Sequence, residues 1–232
     1  MMAVMLDTTD ASPPSPLTAR WAVVLPVKRR TAAKTRLAAS LGLGQSAAGE
    51  LAAAFALDTI GAAAQATRVD RCLVVTDDAE FAASARELGA DVVDEQQPMQ
   101  QAPGFARLNA AFVLGAAYAE AHTPVAALTA DLPALRAVDL DAALARADQL
   151  ASAFVADRHG TGTALLTSWR AGDLAPRFGV DSAHAHRAAG AVEIGRDLAR
   201  LRLDVDTADD LAAARAAGLG PHTERLLAVC AS

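Results

Sequence analysis

The sequence predicts an α/β protein with a mostly parallel central sheet, helices on both faces and a small antiparallel addition. Short apolar runs alternate with longer Ala-rich stretches through the first two-thirds of the chain, as in parallel sheets with crossover helices. The apolar runs are continuous, which is typical of strands buried on both faces. After Ala151 the runs become shorter and closer together, which favours an antiparallel addition to the same sheet.

The individual elements follow from the same pattern. Strands are predicted at Trp21–Val27, Arg71–Thr76, Asp91–Val93, Val125–Thr129, Ser152–Ala156, Thr163–Thr167, Ala191–Ile194 and Leu201–Val205. Helices are predicted at Gln45–Ala66, Ala79–Leu88, Phe105–Ala121 and Asp139–Leu150, with a terminal helical segment from Thr207. Residues 1–20, which contain the SPPSP segment, are predicted to form a disordered leader. Residues 21–232 are predicted to form one domain, because no linker or repeat interrupts them.

Composition restricts the classes of function. The formal net charge of −6 argues against a nucleic-acid-binding surface. Cys72 and Cys230 lie far apart, so we expect no disulfide framework and a cytoplasmic location. The N-terminal residues lack the basic start of a signal peptide. We find no apolar run near the roughly 18 residues that span a bilayer, and we expect no membrane partner.

A basic segment follows the first predicted strand and contrasts with the acidic chain. Its cations are Lys28, Arg29, Arg30, Lys34 and Arg36. Open α/β sheets bind ligands at the carboxyl ends of their strands, so this segment indicates a site for a small polyanion such as a nucleoside triphosphate. The alternative is a solvated surface loop.

Three aspartates at predicted strand ends suit a magnesium site. Asp131 follows the apolar run that ends at Leu128, in the sequence TADLP. Asp204 and Asp206 are two residues apart at the end of a predicted strand, so their carboxylates would share one face. An oxygen-only ligand set beside phosphates is suited to Mg²⁺. The alternative for Asp131 and for Asp206 is a helix cap.

Two glycine-containing loops offer further polar groups. Residues 157–164 (DRHGTGTA) could turn backbone N–H groups toward an anion. Residues 176–187 (PRFGVDSAHAHR) add cations and hydroxyls. His184 and His186 lack a third ligand at the spacing of a zinc site, so we expect both to be exposed.

Five motifs in this order resemble the phosphoenolpyruvate/2-phospho-L-lactate guanylyltransferases of coenzyme F420 biosynthesis. They are VKxxxxAKTRL from Val27, ADLPAL from Ala130, FVADRxGTGTA from Phe154, PRFGxDSxxxH from Pro176 and DVDTxxDL from Asp204. The resemblance spans about residues 21–221. It implies a single-domain, Rossmann-like nucleotide-diphospho-sugar-transferase (GT-A-like) fold, GTP as co-substrate and Mg²⁺ as cofactor.

The resemblance also implies roles for individual residues. Metal binding falls on Asp131, Asp204 and Asp206, and binding of the small phosphorylated acid falls on Thr163, Gly179 and Ser182. Catalysis falls on Asp131 with Lys28, Lys34 and Arg36, which would contact the triphosphate. Asn109 lies in none of these motifs; its position on the predicted helix Phe105–Ala121 makes it a candidate for binding guanine, the alternative being a surface-facing helical asparagine. Ala130 departs from the glycine common in relatives and narrows the space beside the phosphates.

The implied reaction fits these residue types. The acceptor phosphate is already an anion and attacks the α-phosphate of GTP, so positioning and charge stabilisation suffice. Phosphoenolpyruvate is the preferred acceptor, with 2-phospho-L-lactate and 3-phosphoglycerate as alternatives. A labile product predicts transient hand-over to the next transferase. The competing functions are another nucleotidyltransferase of this fold, of molybdopterin or sugar-phosphate type, and a non-catalytic nucleotide-binding module.

Overall fold

The computed structural model describes residues 19–28, 35–95 and 102–230, with only the backbone of Thr35, Arg36 and Cys230. Its strands are β1 (Trp21–Pro26), β2 (Val69–Thr76), β3 (Asp91–Asp94), β4 (Val125–Leu128), β5 (Ser152–Ala156), β6 (Thr163–Ser168) and β7 (Val192–Glu193). Its α-helices are α1 (Thr35–Leu41), α2 (Gln45–Ala64), α3 (Ala79–Glu87), α4 (Gly104–Ala116), α5 (Ala137–Ala147), α6 (Ser182–Ala188), α7 (Ala208–Ala217) and α8 (Pro221–Cys230).

The strands form one sheet in the order β3-β2-β1-β4-β6-β5-β7. Strand β6 runs antiparallel to β4 and β5, and the other neighbouring pairs among the described strands are parallel. The predicted α/β class with an antiparallel addition is therefore confirmed. The chain builds outward from β1 through β2 and β3 and then returns to place β4 on the other side of β1. Open α/β sheets bind ligands at such a reversal of strand order.

Side chains of β1 alternate between two hydrophobic cores. Trp21, Val23 and Leu25 face a core shared with α2, α3 and α5. Ala22 and Val24 face a second core shared with α4. Because both faces are buried, every position of the strand is apolar, as the continuous apolar run in the sequence predicts. Helices on both faces of the sheet are thus confirmed.

Helix α2 corrects one expectation from the sequence. It has 20 residues and is apolar enough, by length and composition, to cross a membrane, whereas we expected no such run. However, 56% of its most apolar 18-residue window is buried inside the protein. Its apolar character is explained by packing in the core between the sheet and α8.

The predicted strand at residues 201–205 is wrong. The backbone N–H groups of Leu201 and Arg202 donate to carbonyls three residues earlier, at 3.1 and 3.3 Å, so the segment begins as a turn. The apolar side chains of Leu201, Leu203 and Val205 are nevertheless buried. The alternating pattern therefore recorded burial against the domain body and not pairing within the sheet.

Other boundaries differ by a few residues. Helix α4 ends five residues before the predicted Ala121, and the terminal helical segment is divided at Gly218 into α7 and α8. Helices α1 and α6 were not predicted. The predicted disordered leader lies outside the described residues except for Ala19 and Arg20. One domain from residue 21 to residue 232 stays a prediction, which the single sheet of the described ranges supports.

Candidate active site

A cleft of about 1030 Å³ opens at the carboxyl ends of β1 and β4, where the strand order reverses. Helices α2 and α4 and the loops around residues 158, 180 and 206 form its walls. Seven residues predicted as site residues line it: Lys28, Asp131, Thr163, Gly179, Ser182, Asp204 and Asp206. The fold thus gathers five separate parts of the chain around one space.

Two long-range hydrogen bonds place the aspartates on the same side of the cleft. The hydroxyl of Thr59, in α2, accepts the N–H of Leu132 at 3.1 Å and fixes the turn that follows β4. The N–H of Val205 donates to the carbonyl of Asp131 at 3.1 Å. Residues 204–206 therefore lie beside the Asp131 turn although they belong to no strand.

Neither Asp131 nor Asp206 caps the helix that follows it. Helix α5 begins after its N-cap residue Arg136. Helix α7 is capped by Thr207, whose hydroxyl accepts the N–H of Asp210 at 3.3 Å. The capping alternatives for the two aspartates are therefore wrong, which strengthens the interpretation that their carboxylates serve the cleft.

The carboxylates of Asp131, Asp204 and Asp206 are the oxygen donors that Mg²⁺ prefers. Across the described ranges, no group of three or more His, Cys, Asp or Glu side chains lies close enough to hold a metal ion by itself. Mg²⁺ commonly uses one or two carboxylates and completes its shell with water and substrate phosphates. The donor set therefore fits an ion that binds together with a nucleotide, and the three-aspartate magnesium site stays a prediction.

The cationic side of the cleft is described in part. Lys28 follows β1 directly, is exposed and lines the cleft. Lys34, with Arg29 and Arg30, lies outside the described residues. Arg36 belongs to α1, but its side chain is outside the described part of the chain. Lys28 is therefore the predicted triphosphate contact that the structure places at the cleft.

The loop between β5 and β6 binds a carboxylate of its own. The Asp157 side chain accepts the N–H of Thr161 at 3.0 Å and the N–H of Gly162 at 2.8 Å. The prediction that this loop's N–H groups bind a ligand anion is wrong for these two donors, because Asp157 already occupies them. The Asp157 carboxylate therefore fixes the conformation of the loop that ends at Thr163.

An ion pair attaches the same loop to α7. The Arg158 guanidinium contacts the Asp210 carboxylate at 2.6 Å, and the Asp210 side chain is 7% exposed. The other oxygen of Asp210 accepts the N–H groups of Asp206 and Thr207, at 3.2 and 2.9 Å. One buried carboxylate therefore links the loop after β5 to the segment that carries Asp206.

A buried histidine supports the predicted acceptor residues. The Thr163 hydroxyl lies 2.9 Å from Nδ1 of His186 and 3.1 Å from the Ser182 hydroxyl. His186 is 1% exposed, so the expectation of an exposed residue is wrong for it, although His184 is exposed. Burial, and secondly the charge of Arg177, lower the pKa of His186 to about 4. The imidazole is therefore neutral at neutral pH.

Asn109 supports the loop that carries Gly179. Its amide nitrogen donates to the carbonyl of Phe178 at 2.9 Å, and its amide oxygen accepts the N–H of Phe178 at 2.8 Å. The Phe178 ring in turn stacks on Phe112, with ring centroids 4.5 Å apart. Asn109 is partly buried and holds the loop next to the cleft, so the surface-facing alternative is wrong. Guanine binding by Asn109 stays a prediction.

Comparison with known proteins decides the class. The sequence model of the family described as "Guanylyl transferase CofC like" matches residues 21–229. The chain belongs to this family. The phosphoenolpyruvate guanylyltransferase of Streptomyces coelicolor is 45% identical over 213 residues, which cover 90% of this chain and 96% of the relative. The enzyme of the same name from Geodermatophilus obscurus is 46% identical over 211 residues, covering 89% and 94%.

Solved structures agree on the fold. A protein assigned as a nucleotide-diphospho-sugar transferase, from Desulfovibrio desulfuricans, superposes with a TM-score of 0.63 at 18% identity, covering 90% of this chain and 94% of that one. A 4-diphosphocytidyl-2C-methyl-D-erythritol synthase superposes with a TM-score of 0.55 at 15% identity, covering 86% and 98%. The predicted nucleotidyltransferase fold is therefore confirmed.

As a CofC-like guanylyltransferase, the chain is an enzyme, and the non-catalytic alternative is set aside. Binding of the substrates in this cleft stays a prediction. Asp157 and Arg158 line the cleft and His186 is buried behind Thr163, yet none of the three was predicted as a site residue. Asp157 and His186 each fall within a quoted motif, FVADRxGTGTA or PRFGxDSxxxH. Their place in these motifs could have marked both residues as candidates, but no local pattern showed what either side chain would contact.

Proposed function

We propose that this guanylyltransferase moves GMP from GTP onto the phosphate of phosphoenolpyruvate, giving enolpyruvyl-diphosphoguanosine and pyrophosphate, as a step of coenzyme F420 biosynthesis. The observation that supports it is the single cleft at the β1–β4 reversal, which gathers Lys28, the three aspartates and the Thr163–Ser182 pair. The names of the relatives at about 45% identity favour phosphoenolpyruvate over 2-phospho-L-lactate and 3-phosphoglycerate.

The reaction must bring two anions together. An oxygen of the acceptor phosphate attacks the α-phosphorus of GTP, and the bond from this phosphorus to the oxygen bridging to the β-phosphate breaks, so that pyrophosphate leaves. No protein nucleophile is required. Lys28, together with Lys34 and Arg36, would bind the triphosphate and offset the charge that develops on the leaving pyrophosphate.

The acceptor would lie against the wall of the cleft that carries Thr163, Gly179 and Ser182. Thr163 and Ser182 offer hydroxyls, and Gly179, which lines the same cleft, has no side chain to keep the acceptor from its backbone. Holding the acceptor phosphate in line with the α-phosphorus converts a collision of two solutes into a reaction within one complex. The rigid support of this wall by Asn109 and His186 serves that positioning.

Asp131, Asp204 and Asp206 would hold Mg²⁺, which when bound offsets the charge of the reacting phosphates. The carboxylates alone would repel both substrates, because they add negative charge to a cleft that must receive two anions. Binding of the substrates is therefore expected to depend on the divalent cation and on these three side chains.

The test is pyrophosphate release from GTP and Mg²⁺ with each of phosphoenolpyruvate, 2-phospho-L-lactate and 3-phosphoglycerate. We expect the highest kcat/KM with phosphoenolpyruvate. Asp131→Asn, which keeps the side-chain shape, should lower kcat/KM by about 100-fold or more. Asp173→Asn makes the same change at an exposed position outside the cleft and should alter kcat/KM by less than about twofold. Absence of pyrophosphate release with all three acceptors would refute the proposal.

Two further proposals concern the cell. An enzyme using these metabolites would work in the cytoplasm. The product carries an activated diphosphate linkage next to an enol, so direct hand-over to the following transferase would protect it from water. A binding assay between the two purified enzymes at micromolar concentration, with and without product, tests this. No association in either condition would contradict it.

A further inference from the structure

The protonation of His186 follows from its two hydrogen-bond neighbours. Its Nε2 lies 2.9 Å from the backbone N–H of Arg177. A backbone N–H can only donate, so Nε2 must carry a lone pair. A neutral imidazole then has its proton on Nδ1, which faces the Thr163 hydroxyl at 2.9 Å. A second proton on Nε2 would point at the Arg177 N–H, which together with burial keeps the ring neutral.

This tautomer decides what the Thr163 hydroxyl can do. Because Nδ1 donates, the Thr163 oxygen acts as an acceptor toward His186. The Thr163 and Ser182 hydroxyls, 3.1 Å apart, together carry two hydrogens, and the bond between them uses one. Among the described residues, neither hydroxyl makes a further hydrogen bond. One hydroxyl hydrogen of the pair therefore remains for the cleft that both residues line.

The opposite tautomer would leave no such donor. With the proton on Nε2, the Thr163 hydroxyl would donate to Nδ1, and the Ser182 hydroxyl would donate to Thr163. Both hydrogens would then be used within the protein. Thr163 is 7% exposed and Ser182 2% exposed, so water has little access to the pair, and a donor without a partner there is costly. An anionic oxygen of a ligand is the natural partner.

We propose that His186 is a positioning residue for the acceptor substrate. By donating from Nδ1 to Thr163, it leaves the Thr163–Ser182 pair with one hydrogen to donate to a phosphate or carboxylate oxygen of the acceptor. This rests on the proposed function, which places the phosphorylated acid against these two hydroxyls. His186 does not touch the substrate, and its effect passes through Thr163.

The first test measures the KM of each substrate in His186 variants. His186→Phe removes the Nδ1 donor from the same buried space, and we expect it to raise the KM for phosphoenolpyruvate by about tenfold, with the KM for GTP unchanged. His186→Asn places an amide donor near the Nδ1 position and should recover most of the loss. His184→Phe, on the exposed side of the same helix, is the matched control and should change neither KM.

A double-mutant cycle separates this role from general support. In a Thr163→Val background, His186→Phe should raise the phosphoenolpyruvate KM by less than about twofold, because the residue through which it acts is gone. An equal rise in both backgrounds, or an equal rise in the KM for GTP, would overturn the proposal. Inactivity of the unaltered protein with every acceptor would instead remove the proposed function.

A second measurement needs no substrate. Long-range ¹H–¹⁵N spectra of the imidazole rings distinguish a protonated Nδ1 from a protonated Nε2, and His186→Asn assigns the signal. We expect His186 to carry its proton on Nδ1 at neutral pH. A proton on Nε2, or a doubly protonated ring, would overturn the proposal even if His186→Phe failed to fold.

Discussion

Gly162 is the position where one added methyl group should most clearly disturb the wall of the cleft that carries Thr163 and Ser182. A Cβ at this residue would lie well inside van der Waals contact with Oδ2 of Asp157 and 3.1 Å from its Cγ. The Asp157 carboxylate would have to move. It could not do so without releasing the N–H groups of Thr161 and Gly162, which it accepts at 3.0 and 2.8 Å.

The expected loss of unfolding free energy follows from those two hydrogen bonds. A hydrogen bond to a charged group contributes about 1.5–3 kcal/mol, so loss of both at the lower value costs about 3 kcal/mol. For a domain of this size we expect Gly162→Ala to lower the melting temperature by about 6–12 °C. Because Thr163 follows directly, the KM for the acceptor should rise as well. Urea unfolding and steady-state kinetics measure the two effects.

Two further variants show whether Asp157 is the cause. Gly172→Ala adds a methyl group where no atom lies within 4 Å and should change the free energy of unfolding by less than about 0.5 kcal/mol. In an Asp157→Ala background the opposing carboxylate is absent, and Gly162→Ala should then cost less than about 1 kcal/mol. If Gly162→Ala destabilised the protein equally with and without the carboxylate, the reasoning would be refuted.

Three other predictions concern stability. Because the pKa of His186 is lowered to about 4, unfolding takes up a proton below pH 6.5. The free energy of unfolding should therefore fall, by at most about 3 kcal/mol, as the pH is lowered from 6.5 to 4; the same decline in His186→Phe would contradict this. Gly61→Ala in α2 meets no atom within 4 Å and should stabilise by about 0.5–1 kcal/mol, whereas Gly115→Ala in α4 would press on Val24 and cost about 2 kcal/mol, both measured by urea unfolding. If Gly61→Ala and Gly115→Ala both raised or both lowered the free energy of unfolding, the packing described would be contradicted. Asp58→Ala removes the carboxylate that accepts two N–H groups at the start of α8, each at 2.9 Å, and should lower the unfolding free energy by about 3 kcal/mol; a change below about 1 kcal/mol in the same titration would argue against that cap.

The order of elements was accessible from the sequence because it depends on local periodicity. Continuous apolar runs such as Trp21–Val27 appear where both faces of a strand are buried, so the sequence predicts this buried strand correctly. Polar residues at strand ends, such as Lys28 and Asp131, were placed at the ligand-binding edge for the same reason. The wrong strand prediction at residues 201–205 shows the limit of periodicity as evidence, since alternate residues can be buried without a partner strand.

The way these segments assemble into one cleft depends on contacts between residues far apart in the chain. The bond from Val205 to the Asp131 carbonyl spans 74 residues, and no local pattern encodes it. The capture of the loop's N–H groups by Asp157 and the burial of His186 behind Thr163 likewise depend on packing. Local sequence set which segments would be strands, helices and polar turns. The tertiary structure alone decided which donors remain available for a ligand, because that number is known only after every internal partner has been found.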